Sequence, residues 1–115
     1  MADPGRPPVP PALSPRTTRA VATFTGRVLD LFPGCPPDVA REAALHWSRA
    51  CPPQKQEREA RITHDDTVRN ALVEVVRRSL PDGPALEAAA RVDGRIRRQL
   101  QARVREILGG WGSPA

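Results

Sequence analysis

The chain contains no tyrosine, and its aromatic residues are two phenylalanines and two tryptophans. All four fall at positions expected in the core, so no exposed aromatic platform is left on which single-stranded bases would stack. A continuous apolar run is missing from the amino end. Residues 1–15 carry Pro4, Pro7, Pro8, Pro10, Pro11 and Pro15, with Asp3 and Arg6 among them. That composition is neither a signal peptide nor a membrane span. Its missing backbone donors favour extended, solvated chain, so residues 1–15 are expected to be a flexible proline-rich tail. No PxxP with a suitably placed arginine makes the tail a ligand for a proline-binding groove.

Cysteine and histidine are equally scarce. Cys35 and Cys51 bracket residues 36–50, which read as a helix. Such a helix rises about 20 Å, whereas a disulfide needs its α-carbons about 4.4–6.8 Å apart, so the two thiols are not expected to bridge each other. Free thiols predict a reducing compartment, cytoplasm or nucleus. The same separation argues against a shared metal site, and His46 and His64 add no recognised ligand spacing. His46, beside Trp47, reads as a half-buried helix residue. No Ser, His and acid arrangement suggests a triad, and no glycine-rich loop follows a strand to cradle phosphate, so neither a catalytic residue nor a cofactor is indicated.

Charge is what the chain does have. Its 115 residues hold 18 bases and 13 acids, and Lys55 is the one lysine, so the excess is almost all guanidinium: permanently charged and forked to fit phosphate or carboxylate. Residues 1–36 carry four bases and two acids, residues 86–115 six and three, and residues 37–85 eight of each. Partner-directed charge would therefore come mainly from the two ends.

No credible strand is present, and the periodicity predicts an all-α bundle of four to five short helices, forming a single domain over residues 16–112. Ser14 and Pro15 are a cap and a first helical residue, opening a helix that carries Val21, Phe24, Val28 and Leu31 on one face and stops at Pro33-Gly34. Pro36-Pro37-Asp38 opens a second helix burying Val39, Ala43, Trp47 and Ala50, which Pro52-Pro53 ends. Residues 54–61 read as a charged connector with room for a frayed turn. Thr63, three residues before Asp66, is a variant capping box for a third helix burying Val68, Leu72, Val75 and Val76. Pro81-Asp82-Gly83-Pro84 is a turn into a helix through Leu86, Ala89 and Ala90. Asp93-Gly94 then favours a break, with Asp93 capping the last helix, over a continuous helix from 84 to 108, because glycine inside a helix costs about 1 kcal/mol. Gly109-Gly110 is expected to end that helix, with Trp111 folding back on the core.

The last helix is also the clearest functional signal. Ile96, Leu100, Val104, Ile107 and Trp111 recur at spacings of four and three and form one apolar stripe. Arg91, Arg98 and Arg105 repeat every seven residues on roughly the opposite side, with Arg95 beside them and Arg97 and Arg103 flanking. Burying the stripe presents a row of guanidinium groups to solvent. The break at Asp93-Gly94 would keep Arg95, Arg98 and Arg105 on a common face and take Arg91 off it.

The string Leu31-Phe32-Pro33-Gly34-Cys35-Pro36, the alanine-rich helix after it, the valine-rich helix ending in Arg77, and the closing pattern Arg97, Leu100, Val104, Ile107-Leu108 and Trp111 resemble the uncharacterised domain family numbered 2293. The similarity spans residues 23–111, and the six-residue string is its most specific piece. The family's function is unassigned, so the resemblance implies a fold and little chemistry. Family members typically place Arg-His after the valine-rich helix, then Thr and Tyr-Asp. Here Arg77 is kept, but Arg78, Pro81, Gly83 and Pro84 stand where the His, Thr, Tyr and Asp would fall. If that polar cluster is a catalytic site, this chain lacks it.

The expected function is a small, basic, non-catalytic helical module that binds nucleic acid through Arg91, Arg95, Arg98 and Arg105, by phosphate contact and without base recognition. The rival class is a protein-interaction subunit: many core alanines make a thin core that a partner, acidic if it meets the arginine row, would complete. A metal-dependent hydrolase ranks third. Its one support is His64-Asp65-Asp66, where the acids more simply complement a helix amino terminus. No membrane partner is implied, and the sequence sets no oligomeric state.

Overall fold

The computed structural model describes residues 13–112, and over them the chain is helical without a strand. The elements are α1 (Pro15–Leu31), α2 (Pro37–Ala50), a single 3-10 turn (Pro53–Lys55), α3 (Gln56–Ile62), α4 (Asp65–Ser79), α5 (Gly83–Ala90) and α6 (Gly94–Trp111). The expected tail falls mostly on residues 1–12, outside the described residues. At its inner end Ser14 does cap α1, its hydroxyl accepting from the Thr17 N–H at 3.1 Å.

Six helices replace the expected four to five because the charged connector folds into α3 and packs on α1. Its buried face is Gln56 and Ala60, one turn apart, and contains no large apolar residue that would make a stripe. Polar pairing does the fastening instead. The Gln56 amide accepts from the Thr17 hydroxyl at 2.7 Å and donates to the Ser48 and Cys51 carbonyls at 2.8 and 3.1 Å. One buried side chain thereby satisfies orphan carbonyls at the end of α2 and ties α3 to α1. Arg19 with Glu57 at 2.7 Å and Arg27 with Asp65 at 2.9 Å tie α1 to α3 and α4 from outside.

The core lies where α1, α2 and α4 meet. Phe24 and Trp47 stack at its centre, their ring centroids 4.5 Å apart and their planes 16° from parallel. Among the described residues seven of the 20 buried apolar side chains are alanines, so helices approach closely and these two rings supply much of the core's volume. On α2 the buried stripe is Ala40, Ala43, Ala44, Trp47 and Ser48 rather than the face through Val39 and Ala50: Val39 is half-buried and Ala50 exposed.

Two helix ends differ from the sequence reading and one agrees with it. The amino cap of α4 is His64, whose Nδ1 accepts from the Asp66 N–H at 3.1 Å, rather than Thr63. Asp93 does cap α6, accepting from the Arg95 N–H at 2.9 Å, so the break between α5 and α6 is real. Gly109-Gly110 does not end α6, which continues to Trp111 because its last turn is anchored: the Gly34 N–H donates to the Trp111 carbonyl at 2.9 Å. The buried stripe of α6 is Leu100, Val104 and Leu108, with Ile96, Ile107 and Trp111 half-buried beside it.

That anchor explains the Pro33-Gly34 turn. A β-carbon on Gly34 would lie 3.0 Å from the Trp111 α-carbon, a backbone atom that cannot swing aside. Gly34→Ala should therefore destabilise the fold by about 1–3 kcal/mol. Gly26→Ala, in the open interior of α1 with nothing within 4 Å, should stabilise it by about 0.5–1 kcal/mol. Paired denaturant titrations check both signs.

The two cysteines are free, Cys35 buried and Cys51 half-buried. Burial pushes the Cys35 thiol up, with the Asp38 charge adding to it, and burial with Glu59 does the same for Cys51 against the opposing Lys55. A raised pKa leaves less thiolate at a given pH. Both thiols of the native protein should therefore react with a disulfide reagent more slowly than free cysteine, and both should react fully on unfolding.

Candidate nucleic-acid interface

Two rows of side chains one turn apart decide the site. On α4, Arg69, Val73 and Arg77 each follow by one position a member of the buried row Val68, Leu72 and Val76. On α6, Gln101 and Arg105 follow Leu100 and Val104 in the same way, and Arg97 stands one turn before Gln101. A step of one residue is about 100°, so each row sits at the shoulder of its helix's buried face. Because α6 leans mainly on α5 and meets α4 over a shorter strip, the shoulders do not close on each other. They line the walls of a cleft of about 800 Å³.

Six guanidinium groups line it: Arg69, Arg77 and Arg78 from α4, Arg91 from the turn between α5 and α6, and Arg97 and Arg105 from α6. Apolar lining comes from Val73, Ala90, Leu100, Val104 and Leu108. The carboxylates in the lining are Glu74 and Glu87, and both are taken up beside the end of α4. Glu74 lies 2.9 Å from Arg77 and 3.9 Å from Arg78, and Glu87 lies 3.9 Å from Arg77. Arg97 donates to the Ala90 carbonyl at 3.1 Å, closing the carboxyl end of α5. Arg69, Arg91 and Arg105 are exposed and make no ion pair or side-chain hydrogen bond among the described residues. In a concave site with apolar walls, charges left unneutralised attract an anion more strongly than they would on a flat, fully hydrated surface.

The corner that opens the cleft is set by backbone chemistry. Asp82 takes the left-handed conformation at φ 60°, which aspartate tolerates better than most residues. A β-carbon on Gly83 would come within 2.6 Å of the Arg77 carbonyl oxygen. Glycine thus lets the start of α5 sit directly on the end of α4, where Arg77 and Arg78 lie.

The arginine row read from the sequence is divided by this geometry. Arg91 and Arg105 come together in the cleft, whereas Arg95 and Arg98 are exposed on α6 outside its lining. Arg91 departs from the α6 face as the helix break requires, and the break brings it to the cleft instead. Sequence reasoning missed Arg69, Arg77 and Arg78, which belong to a helix of balanced charge, and treated Arg97 as a flank. The signal was a basic residue at both ends of an i, i+8 row on α4 and again on α6. It becomes meaningful only once the two helices are known to be neighbours.

His64, Asp65 and Asp66 are each accounted for locally: His64 caps α4, Asp65 pairs with Arg27, and Asp66 lies 3.5 Å from His64 with both side chains in solvent. Phe24, Phe32 and Trp47 are buried, and Trp111 is half-buried outside the cleft lining. No helix among the described residues is long and apolar enough to cross a membrane.

Comparisons with protein-family models, with curated proteins and with solved structures return no match.

Proposed function

We propose that this chain is a small basic helical module that binds nucleic acid without catalysing a reaction, using the cleft between α4 and α6 and the exposed arginines of α6 beside it. The observation that carries the reading is the convergence of six guanidinium groups from three parts of the chain on one concave surface that holds two carboxylates. Phosphate contact needs clustered, accessible cations, and Arg69, Arg91 and Arg105 are spent on no partner among the described residues. Arg95 and Arg98 extend the positive surface along the outer side of α6.

Fluorescence anisotropy of labelled oligonucleotides of unrelated sequence tests it. At low salt they should bind with similar affinities, because the proposed contacts are to phosphate. Failure of every oligonucleotide to bind at low salt would remove the reading. The apolar part of the cleft favours a second one, an acidic protein segment that covers Val73, Leu100 and Val104 while its carboxylates meet the same arginines. It predicts that excess nucleic acid leaves the partner bound.

A further inference from the structure

The cleft is built for more than a phosphate backbone, and this deepens the reading above, on which it rests. An array of cations alone would suit a duplex, which turns its phosphates outward and shields its bases. Here the cations stand on two facing walls with apolar surface between them. Along α4, Arg69 and Arg77 are eight residues apart with Val73 midway, and along α6, Arg97 and Arg105 are eight apart with Gln101 midway. Eight residues span about 12 Å of helix, roughly the axial rise of three to four nucleotides at 3.4 Å each. The cleft's volume of about 800 Å³ lies in the range of pockets that enclose small organic groups, too small for a duplex to enter.

We infer that the cleft takes an unpaired stretch of a nucleic-acid strand, bases inward against Val73, Leu100 and Val104 and phosphates against the arginines of the two walls. A duplex resting on the rim would leave the half-buried Val73 and the small exposed edges of Leu100 and Val104 in water. A single strand covers them and gains the burial. Arginine planes take the part that aromatic rings play in other single-strand sites, since an unstacked base stacks on a guanidinium as well as on a ring. Gln101 offers an amide within reach of base edges midway between Arg97 and Arg105, and Glu74 and Glu87 keep the end of α4 from becoming a purely cationic sink.

Three probes at one salt concentration test this: a short oligothymidylate, the same backbone with abasic residues, and a blunt hairpin duplex of matched charge. The oligothymidylate should bind about tenfold or more tighter than either of the others, as one well-covered base is worth about 1–3 kcal/mol. Gln101→Glu, at an exposed position, places a carboxylate between two wall arginines and should weaken the oligothymidylate several-fold with no change in melting temperature. Exchanging Arg95 and Arg98 for glutamate, outside the cleft, should weaken all three probes by a similar factor. Equal affinity for thymidylate and abasic strands, or for strand and duplex, would overturn the inference while the nucleic-acid reading stands. Absence of binding by all three probes, with polyglutamate bound in their place, would overturn both in favour of an acidic protein partner.

Discussion

Replacing Arg69, Arg91 and Arg105 together with glutamate should abolish nucleic-acid binding and leave the fold intact. Each of the three is exposed and makes no ion pair or side-chain hydrogen bond among the described residues, so its substitution removes no internal contact. Surface changes of this kind usually stay within about 0.5 kcal/mol each. The effect on binding is large because three cations become three anions inside one cleft that already holds Glu74 and Glu87. Replacing Arg95 and Arg98 is the informative comparison: losing their outlying charge should weaken binding without abolishing it. If the outer pair proved as damaging as the three cleft residues, the binding surface would be the outer face of α6 and the cleft would be incidental. A melting curve beside each titration separates loss of contact from loss of structure.

Phe24→Ala should all but unfold the domain. Phe24 is fully buried, stacked on Trp47, in a core where alanine is the commonest neighbour. Truncating such a ring costs about 3–5 kcal/mol, because the transfer free energy is lost and the surrounding helices relax only partly into the space. A domain of this size has about 5–15 kcal/mol in total, and a thin core puts this one toward the lower part of that range. Circular dichroism during urea titration should show the midpoint falling to low denaturant or the transition losing its cooperativity. Leu100→Ala, at the apolar edge of the cleft, should cost about 2–5 kcal/mol, while Arg98→Ala on the outer side of the same helix should stay near zero. Equal costs at Leu100 and Arg98 would mean that the buried and exposed faces of α6 are misplaced.

Five of the six helices can be read from the sequence, because each carries either a capping residue or an apolar stripe at helical spacing. Ser14 and Asp93 mark their helix starts as side-chain chemistry predicts. The sixth, α3, is silent in a hydrophobicity pattern because its contacts are a buried glutamine, an alanine and surface ion pairs. The rotation of the α2 face has a related cause. Ala40, Ala43 and Ala44 are as compatible with burial as Val39 and Ala43, and only close packing against α1 and α4 decides between them. At Gly109-Gly110 local propensity points one way and a tertiary anchor, the Gly34 N–H on the Trp111 carbonyl, decides the other.

The site divides along the same line. A row on one helix is legible, so Arg91, Arg98 and Arg105 stand out at a spacing of seven, with Arg95 beside them. A cleft between two helices depends on which neighbours meet and how far apart their shoulders stay. That is why Arg69, Arg77 and Arg97 gain a role only in three dimensions. Arg78 adds a tie in the other direction, with its Nη1 3.5 Å from Nδ1 of His46 on α2.

The most direct test of a phosphate-binding cleft is the dependence of affinity on salt. Titrating the protein with a short oligothymidylate over a series of salt concentrations should give a line of log K against log salt with a slope of about −3 to −4, as four to six phosphate contacts require of a single strand. Arg91→Ala should make that slope shallower by about 0.7, the share of one phosphate. A flat line, or a slope that Arg91→Ala leaves untouched, would contradict the account.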